Sequence, residues 1–188
     1  MKSSFYPLSS QYSKSTFEII VPTGANPIHT LLSSLALGDE VAFKIGKNEL
    51  VYRGDEVDIK SFTLVACGAG ILPVVQFLRR ILLNKEFHIE QCELLWINEK
   101  RDDFLFMCNN ELEKLEAEHE KVFSCARVLD TTLISSSTDL NDRIQDALPT
   151  YEDSRVALIA GPNIVNTKFS KALEAAGYPL ADIIPLDI

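Results

Sequence analysis

From Phe62 to the C-terminus the chain alternates short apolar runs with amphipathic stretches of helix length, and that rhythm limits its possible folds more than any other feature. Parallel strands need a crossover of about a dozen residues or more, usually a helix, and both faces of the resulting sheet are covered. Apolar runs spaced in this way therefore read as a parallel α/β sheet. The spacing predicts strands at 63–67, 93–98, 122–129 and 156–160, with a last one at 183–186. Helices are expected at 72–83, 110–120, 140–147 and 164–176. Asp139 stands where an N-cap belongs, and Gly177 stands where a left-handed residue would end the last helix. Right-handed crossovers wind this order into one open, doubly wound sheet.

The first third has a different texture. Between Ser4 and Ile59 short apolar segments are broken by Gly, Pro, Asn and Asp, and 16–21 and 40–45 read as antiparallel strands. Between them Ile28, Leu31, Leu32 and Leu35 fall on one face of a helix expected at 27–37, closed by Gly38 and Asp39. The chain thus divides into a region 1–60 and an α/β domain 61–188.

Composition excludes several classes of function. A hydrophobic fraction of 46% with 24% charged residues is enough to bury a core. The net charge of −9 argues against binding a phosphate backbone, which needs clustered Lys and Arg. Four cysteines show no C-x-x-C pair and three histidines show no ligand spacing, so buried thiols and no structural metal are expected. The chain contains no apolar run of membrane-spanning length and no apolar signal core at its start, which suggests a location inside the cell in a reducing compartment, either cytoplasm or an organelle interior.

Two turns could carry chemistry. Cys67, Gly68, Ala69, Gly70, Ile71, Leu72 and Pro73 join an apolar strand to a helix. Glycines there let a phosphate approach backbone N–H groups at the positive end of a helix dipole, and they equally serve to make a tight strand-to-helix turn. Pro73 stands where the third glycine of a G-x-G-x-x-G fingerprint would be. A second turn, Ala160, Gly161, Pro162 and Asn163, opens the last helix at the same edge of the sheet, so both turns would face one crevice.

The order of these motifs, with Leu94 to Leu105, Glu111 to Leu115, a strand ending in Val128, Leu129 and Asp130, and the run from Ala176 to Pro179, resembles the pyridine-nucleotide domain of the ferredoxin-NADP reductase-like family. The resemblance is to its NADH-cytochrome b5 reductase and nitrate reductase branch and covers the whole second region. It implies that NAD(P)H is bound by Gly68, Ala69, Gly70, Ile71 and Pro73, with Asn98 toward the adenosine end and Gly161 and Pro162 on the other side of the crevice. No catalytic residue and no metal ligand is assigned.

The first region resembles the tail of the family's flavin-binding barrel, but Ser3, Phe5, Asn26 and His29 stand at the family's Arg, Tyr, Gly and Ser positions. A serine cannot replace a bidentate, permanently charged phosphate clamp, so FAD binding is expected to be weakened. Cys67, Ala69, Ala160 and Leu186 depart from the family pattern as well, and the family's first three barrel strands have no counterpart. An open barrel leaves unpaired strand edges, which implies a protein partner covering 1–60. Two functions follow from the resemblance: an NAD(P)H-dependent flavoprotein oxidoreductase module that passes electrons through flavin, or a catalytically degenerate relative serving as a structural or regulatory subunit.

Overall fold

The computed structural model describes residues 5–9, 15–21, 26–44, 59–84, 86–106, 110–133, 140 and 142–188. Two units divide the chain, Met1–Asp58 and Ile59–Ile188. In the first, helix α1 (Pro27–Ser33) begins where the Asn26 side chain accepts the Ile28 N–H at 2.9 Å. It ends earlier than the apolar spacing suggested, because the Ser34 hydroxyl donates back to the Leu31 carbonyl and Leu37 is fully exposed, with no packing to extend the helix.

The strands expected at 16–21 and 40–45 are not formed among the described residues. An isolated antiparallel bridge joins Pro7 to Ile19, and residues 41–44 pair with no strand among the described residues. A strand needs a ladder partner, and alternating side chains alone do not provide one; Phe17 and Phe43 meet edge to face at 5.4 Å while both stay exposed. Ser3, Asp139 and residue 45 lie outside the described residues.

In the second unit the elements run β1 (Ser61–Cys67), α2 (Ile71–Leu83), β2 (Gln91–Asn98), α3 (Asp103–Phe106), α4 (Glu111–Glu118), β3 (Phe123–Leu129), α5 (Asp142–Asp146), β4 (Arg155–Gly161), α6 (Asn163–Ala175) and β5 (Ile183–Asp187). All five strands are parallel, in the order β3-β2-β1-β4-β5. Each expected strand and helix of this region is present, with no end moved by more than two residues. The central strands β1 and β4 are buried along their whole length, and their runs 64–67 and 156–160 are apolar at every position, as burial on both faces requires. Val65, Cys67, Leu95, Ile97, Ala157 and Ile159 pack with Ile144 of α5 and Val165, Phe169 and Leu173 of α6 on one face. The intervening Leu64, Ala66, Leu94, Trp96, Leu158 and Ala160 are buried on the other face, where α2 packs against β1 and β4.

The free edge at β3 is closed by α4. Its Glu116 accepts the Cys125 N–H at 3.0 Å and Glu113 pairs with Arg127 at 2.6 Å, while Glu111 holds Arg79 of α2 through two bonds of 2.6 and 2.7 Å. The acidic run of α4 therefore serves tertiary contacts with β3 and α2. At the amino ends of the strands Arg155, only 2% exposed, is enclosed by Glu93 (2.9 Å), Gln91 (2.7 Å) and Glu152 (3.3 Å). Beside it the Thr63 and Tyr178 hydroxyls share a 2.8 Å hydrogen bond.

Helix α6 ends as its sequence signals. Gly177 has φ +96, its N–H donates to the Glu174 carbonyl, and the Tyr178 N–H reaches the Leu173 carbonyl, both at 3.0 Å, forming a complete Schellman cap. The Gly177→Ala variant places a Cβ in left-handed backbone and should lose about 1–2 kcal/mol of unfolding free energy, measured by urea titration.

Candidate functional site

The strand order reverses between β1 and β4. After β1 the chain enters α2 on one face, and after β4 it enters α6 on the other, so the two turns diverge and leave a crevice at the carboxyl edge. The residues singled out from the sequence gather around this edge, with Asn98 at the end of neighbouring β2.

The two motifs use their glycines for different purposes. Gly68 opens a 3-10 turn (Gly68–Gly70) at φ +55, and no atom lies within 4 Å of where its Cβ would stand. Gly70 is the opposite case: a Cβ there would stand 1.8 Å from the Ala160 carbonyl oxygen, so α2 can lie this close to β4 only without a side chain. Gly161 is also a packing glycine, since its Cβ would meet the Cys67 Cβ at 3.1 Å. Close packing accounts for Gly70 and Gly161, while Gly68 keeps open space where a side chain would stand.

Gly68, Ala69 and Pro162 keep partial exposure at the crevice, whereas Gly70, Ile71, Pro73, Asn98 and Gly161 are buried beneath it. Pro73 lies in the first turn of α2, where an N–H would have no partner within the helix. Asn98 is 2% exposed; with its amide oriented to satisfy both ends, its oxygen accepts the Trp96 indole N–H and its nitrogen donates to the Ile97 carbonyl, each at 3.2 Å. Its own carbonyl accepts the Asp130 N–H at 3.0 Å, which ties the ends of β2 and β3 together. Asn98 thus shapes the edge through internal bonds, and the exposed Lys100 and Arg101 follow it.

Neither α2 nor α6 has a side-chain cap. Gly70 and Pro162 occupy their N-cap positions, and neither can supply a capping oxygen. The Pro162 carbonyl accepts the N–H groups of Val165 and Asn166 at 2.8 and 3.0 Å. Two helix N-termini without side-chain caps, each 13 residues long, therefore begin at the crevice with the positive ends of their dipoles.

Sequence reasoning missed three residues that organise this edge. The Asp130 carboxylate is buried and accepts the N–H and hydroxyl of Thr132 at 2.8 and 2.7 Å, turning the chain as it leaves β3. Lys168 of α6 donates to the Leu133 carbonyl at 2.8 Å in the same loop. Asn166 is a polar residue on the stripe Val165, Phe169 and Leu173, and that break in apolar spacing was its available signal. No cluster of potential metal ligands and no helix long and apolar enough to cross a membrane occurs among the described residues.

Residues 64–169, more than half of the chain, match the family model described as the oxidoreductase NAD-binding domain. The chain belongs to that family. The chain is 27% identical to an NADPH nitrate reductase of Aspergillus niger over 96% of its own length and 22% of the relative. It is 28% identical to NADH-cytochrome b5 reductase 1 of Emericella nidulans over 95% of this chain and 59% of the relative. The cytochrome b5 reductase domain of Ulva prolifera nitrate reductase superposes with a TM-score of 0.70 at 21% identity, covering 96% of this chain and 76% of that domain. The chain therefore spans from about a fifth to three fifths of these curated relatives' lengths.

Burial, and then the charges of Glu99 and Asp130, push the Cys67 thiol up from 9.0 to about 11. Burial likewise pushes Cys125 up to about 12 and raises Cys92. A thiol with a raised folded-state pKa stabilises the fold fully below its unfolded pKa and loses that contribution as pH rises toward the folded value, because the unfolded chain ionises first. Unfolding free energy should fall between pH 9 and 11, by at most roughly 1 kcal/mol per pH unit for each thiol. Urea titrations across that range should give a shallower fall for Cys67→Ala than for the unsubstituted chain.

Proposed function

We propose that the Ile59–Ile188 unit binds NAD(P)H across the carboxyl ends of β1 and β4 and serves as the nucleotide-binding module of a flavin-dependent oxidoreductase. One observation carries this reading: the left-handed Gly68 turn, with open space where a side chain would stand, lies at the head of α2, which has no side-chain cap. A dinucleotide phosphate fits such a cradle because its negative charge can meet backbone N–H groups and a helix dipole without a side chain in the way.

In this reading Gly68, Ala69 and Pro162 line the crevice and approach the nucleotide directly. Gly70, Ile71, Pro73, Gly161 and Asn98 hold those residues in place from beneath. When bound, the nicotinamide supplies the hydride, and the protein orients it and excludes water. Residues 1–60 represent the flavin-facing part of the module, completed by a protein partner, with FAD held less firmly than in a chain that carries the phosphate-clamping Arg. Similarity to cytochrome b5 reductases and nitrate reductases supports electron transfer to an acceptor beyond the flavin.

The test is a calorimetric titration of the purified chain with NADH, NADPH and FAD, with an absorption spectrum of the untreated protein. Gly68→Asn is the matching variant, because Asn tolerates left-handed backbone while its side chain fills the cradle. Its folding stability should change by less than about 1 kcal/mol. Nucleotide affinity should fall by roughly tenfold or more. Wild-type affinity in this variant would remove the Gly68 cradle from the site. Silence of the unsubstituted chain toward all three ligands would favour the structural or regulatory subunit.

A further inference from the structure

Asn166 occupies a position where the packing of α6 calls for an apolar side chain. It is 5% exposed, lies on the stripe of Val165, Phe169 and Leu173 that buries α6 against β4 and β5, and belongs to the first turns of the helix. Its Nδ2 donates to the Leu186 carbonyl at 2.9 Å, while its Oδ1 is buried with no partner among the described residues. Burying an amide with an unsatisfied acceptor costs stability relative to an apolar side chain of similar volume. A leucine would remove the unsatisfied oxygen but also take the amide donor from the Leu186 carbonyl, so the two effects on folding oppose each other.

What the amide does is join three parts of the crevice. The Asn166 backbone N–H bonds to the Pro162 carbonyl at 3.0 Å, its side chain holds Leu186, and Leu186 pairs in register with Ala160, as Asp187 does with Gly161. The turn after β4, the head of α6 and the end of β5 therefore meet at this residue. Polar groups that break the local packing rule without a gain in stability concentrate at functional sites.

We infer that Asn166 is a positioning residue for the nucleotide site: its side-chain bond to Leu186 locks the end of β5 to the head of α6, and so fixes where Gly161 and Pro162 face the crevice. The inference rests on the proposed nucleotide-binding reading, but its local mechanical part can be measured without ligand.

The variants are Asn166→Leu, which keeps volume and removes both the bond and the unsatisfied oxygen, and Asn166→Ala, which is smaller and serves if the branched side chain misfits. Amide hydrogen exchange is followed in the ligand-free chain, thermal midpoints are recorded, and NADH and NADPH are titrated by calorimetry. For Asn166→Leu the midpoint should stay within about 4 °C of that of the unsubstituted chain, because the lost bond offsets the removed unsatisfied oxygen. Exchange should accelerate at 161–165 and 186–188 and not in β1 or β2, and nucleotide Kd should rise roughly fivefold, the loss of about one neutral hydrogen bond. A purely structural asparagine would move the midpoint and leave the affinity alone. Unchanged exchange at 161–165 and 186–188 in both variants overturns the inference, as does unchanged Kd with the unsubstituted chain binding nucleotide. If the unsubstituted chain binds neither nucleotide, the functional reading fails, and the exchange pattern alone decides whether Asn166 locks this corner.

Discussion

The approach of Gly70 to the Ala160 carbonyl is the contact on which the rest of the α/β unit depends. Parallel strands β1 and β4 lie side by side, and the helix that leaves β1 must pass over the backbone of β4 to cover the sheet. A side chain at Gly70 would have to occupy the same space as that carbonyl, and the backbone of a strand buried on both faces cannot give way as the tip of a flexible side chain could. With no Cβ the helix settles, its head remains beside the strand ends, and the turn at Gly68 comes to lie at the edge of the sheet. The crevice is therefore a product of packing before it is a binding site. Gly161 makes the reciprocal contact with Cys67, so each turn is pressed toward the other strand by its own glycine.

The two ends of the sheet solve opposite problems. At the amino ends a guanidinium lies almost wholly out of water, and Glu93, Gln91 and Glu152 surround it. Desolvating such a cation is costly, and removing one partner would leave a buried charge without compensation, so this cluster binds the amino ends of β1, β2 and β4 into one arrangement. At the carboxyl ends the opposite holds: helix heads are left without side-chain caps, and polar side chains such as Asn98 and Asp130 are turned inward to hold the backbone. A buried charge cluster at one end and helix heads without side-chain caps at the other give the unit a direction.

The α/β unit was legible in the sequence because burial on both faces leaves unbroken apolar runs, 64–67 and 156–160, in the central strands, and that pattern is local. Gly177 was legible for the same reason, as a helix end is decided within a few residues. The strands expected near Ile19 and Phe43 failed because alternation describes one strand while a ladder needs two, and the partner is not written in the same segment. The glycines of the crevice were visible as a pair but not as different residues. Gly68 is set by its own backbone angle, and Gly70 by a strand about ninety residues later in the chain. The same distance explains the acidic run of α4, whose partners Arg79 and Arg127 come from neighbouring elements. Asn166 could have been noticed as a break in an apolar stripe, but its partner Leu186 could not.

A net charge of −9 works against a dinucleotide that carries its own negative charges, and the proposed phosphate site would offset this with backbone donors. Surface carboxylates repel a phosphate only over about a Debye length, roughly 8 Å at physiological ionic strength. Backbone N–H groups at a helix head act at hydrogen-bond distance and are held in place by the fold, so they need no reorganisation and no cationic side chain. The buried Asp130 has its carboxylate engaged by Thr132, and the Cys67 thiol stays neutral at ordinary pH, so neither adds an unmatched anion at the turn. Phosphate recognition by backbone geometry can therefore survive an acidic sequence that would defeat recognition by lysine and arginine. In the proposed site the close packing at Gly70 would hold those backbone donors in place.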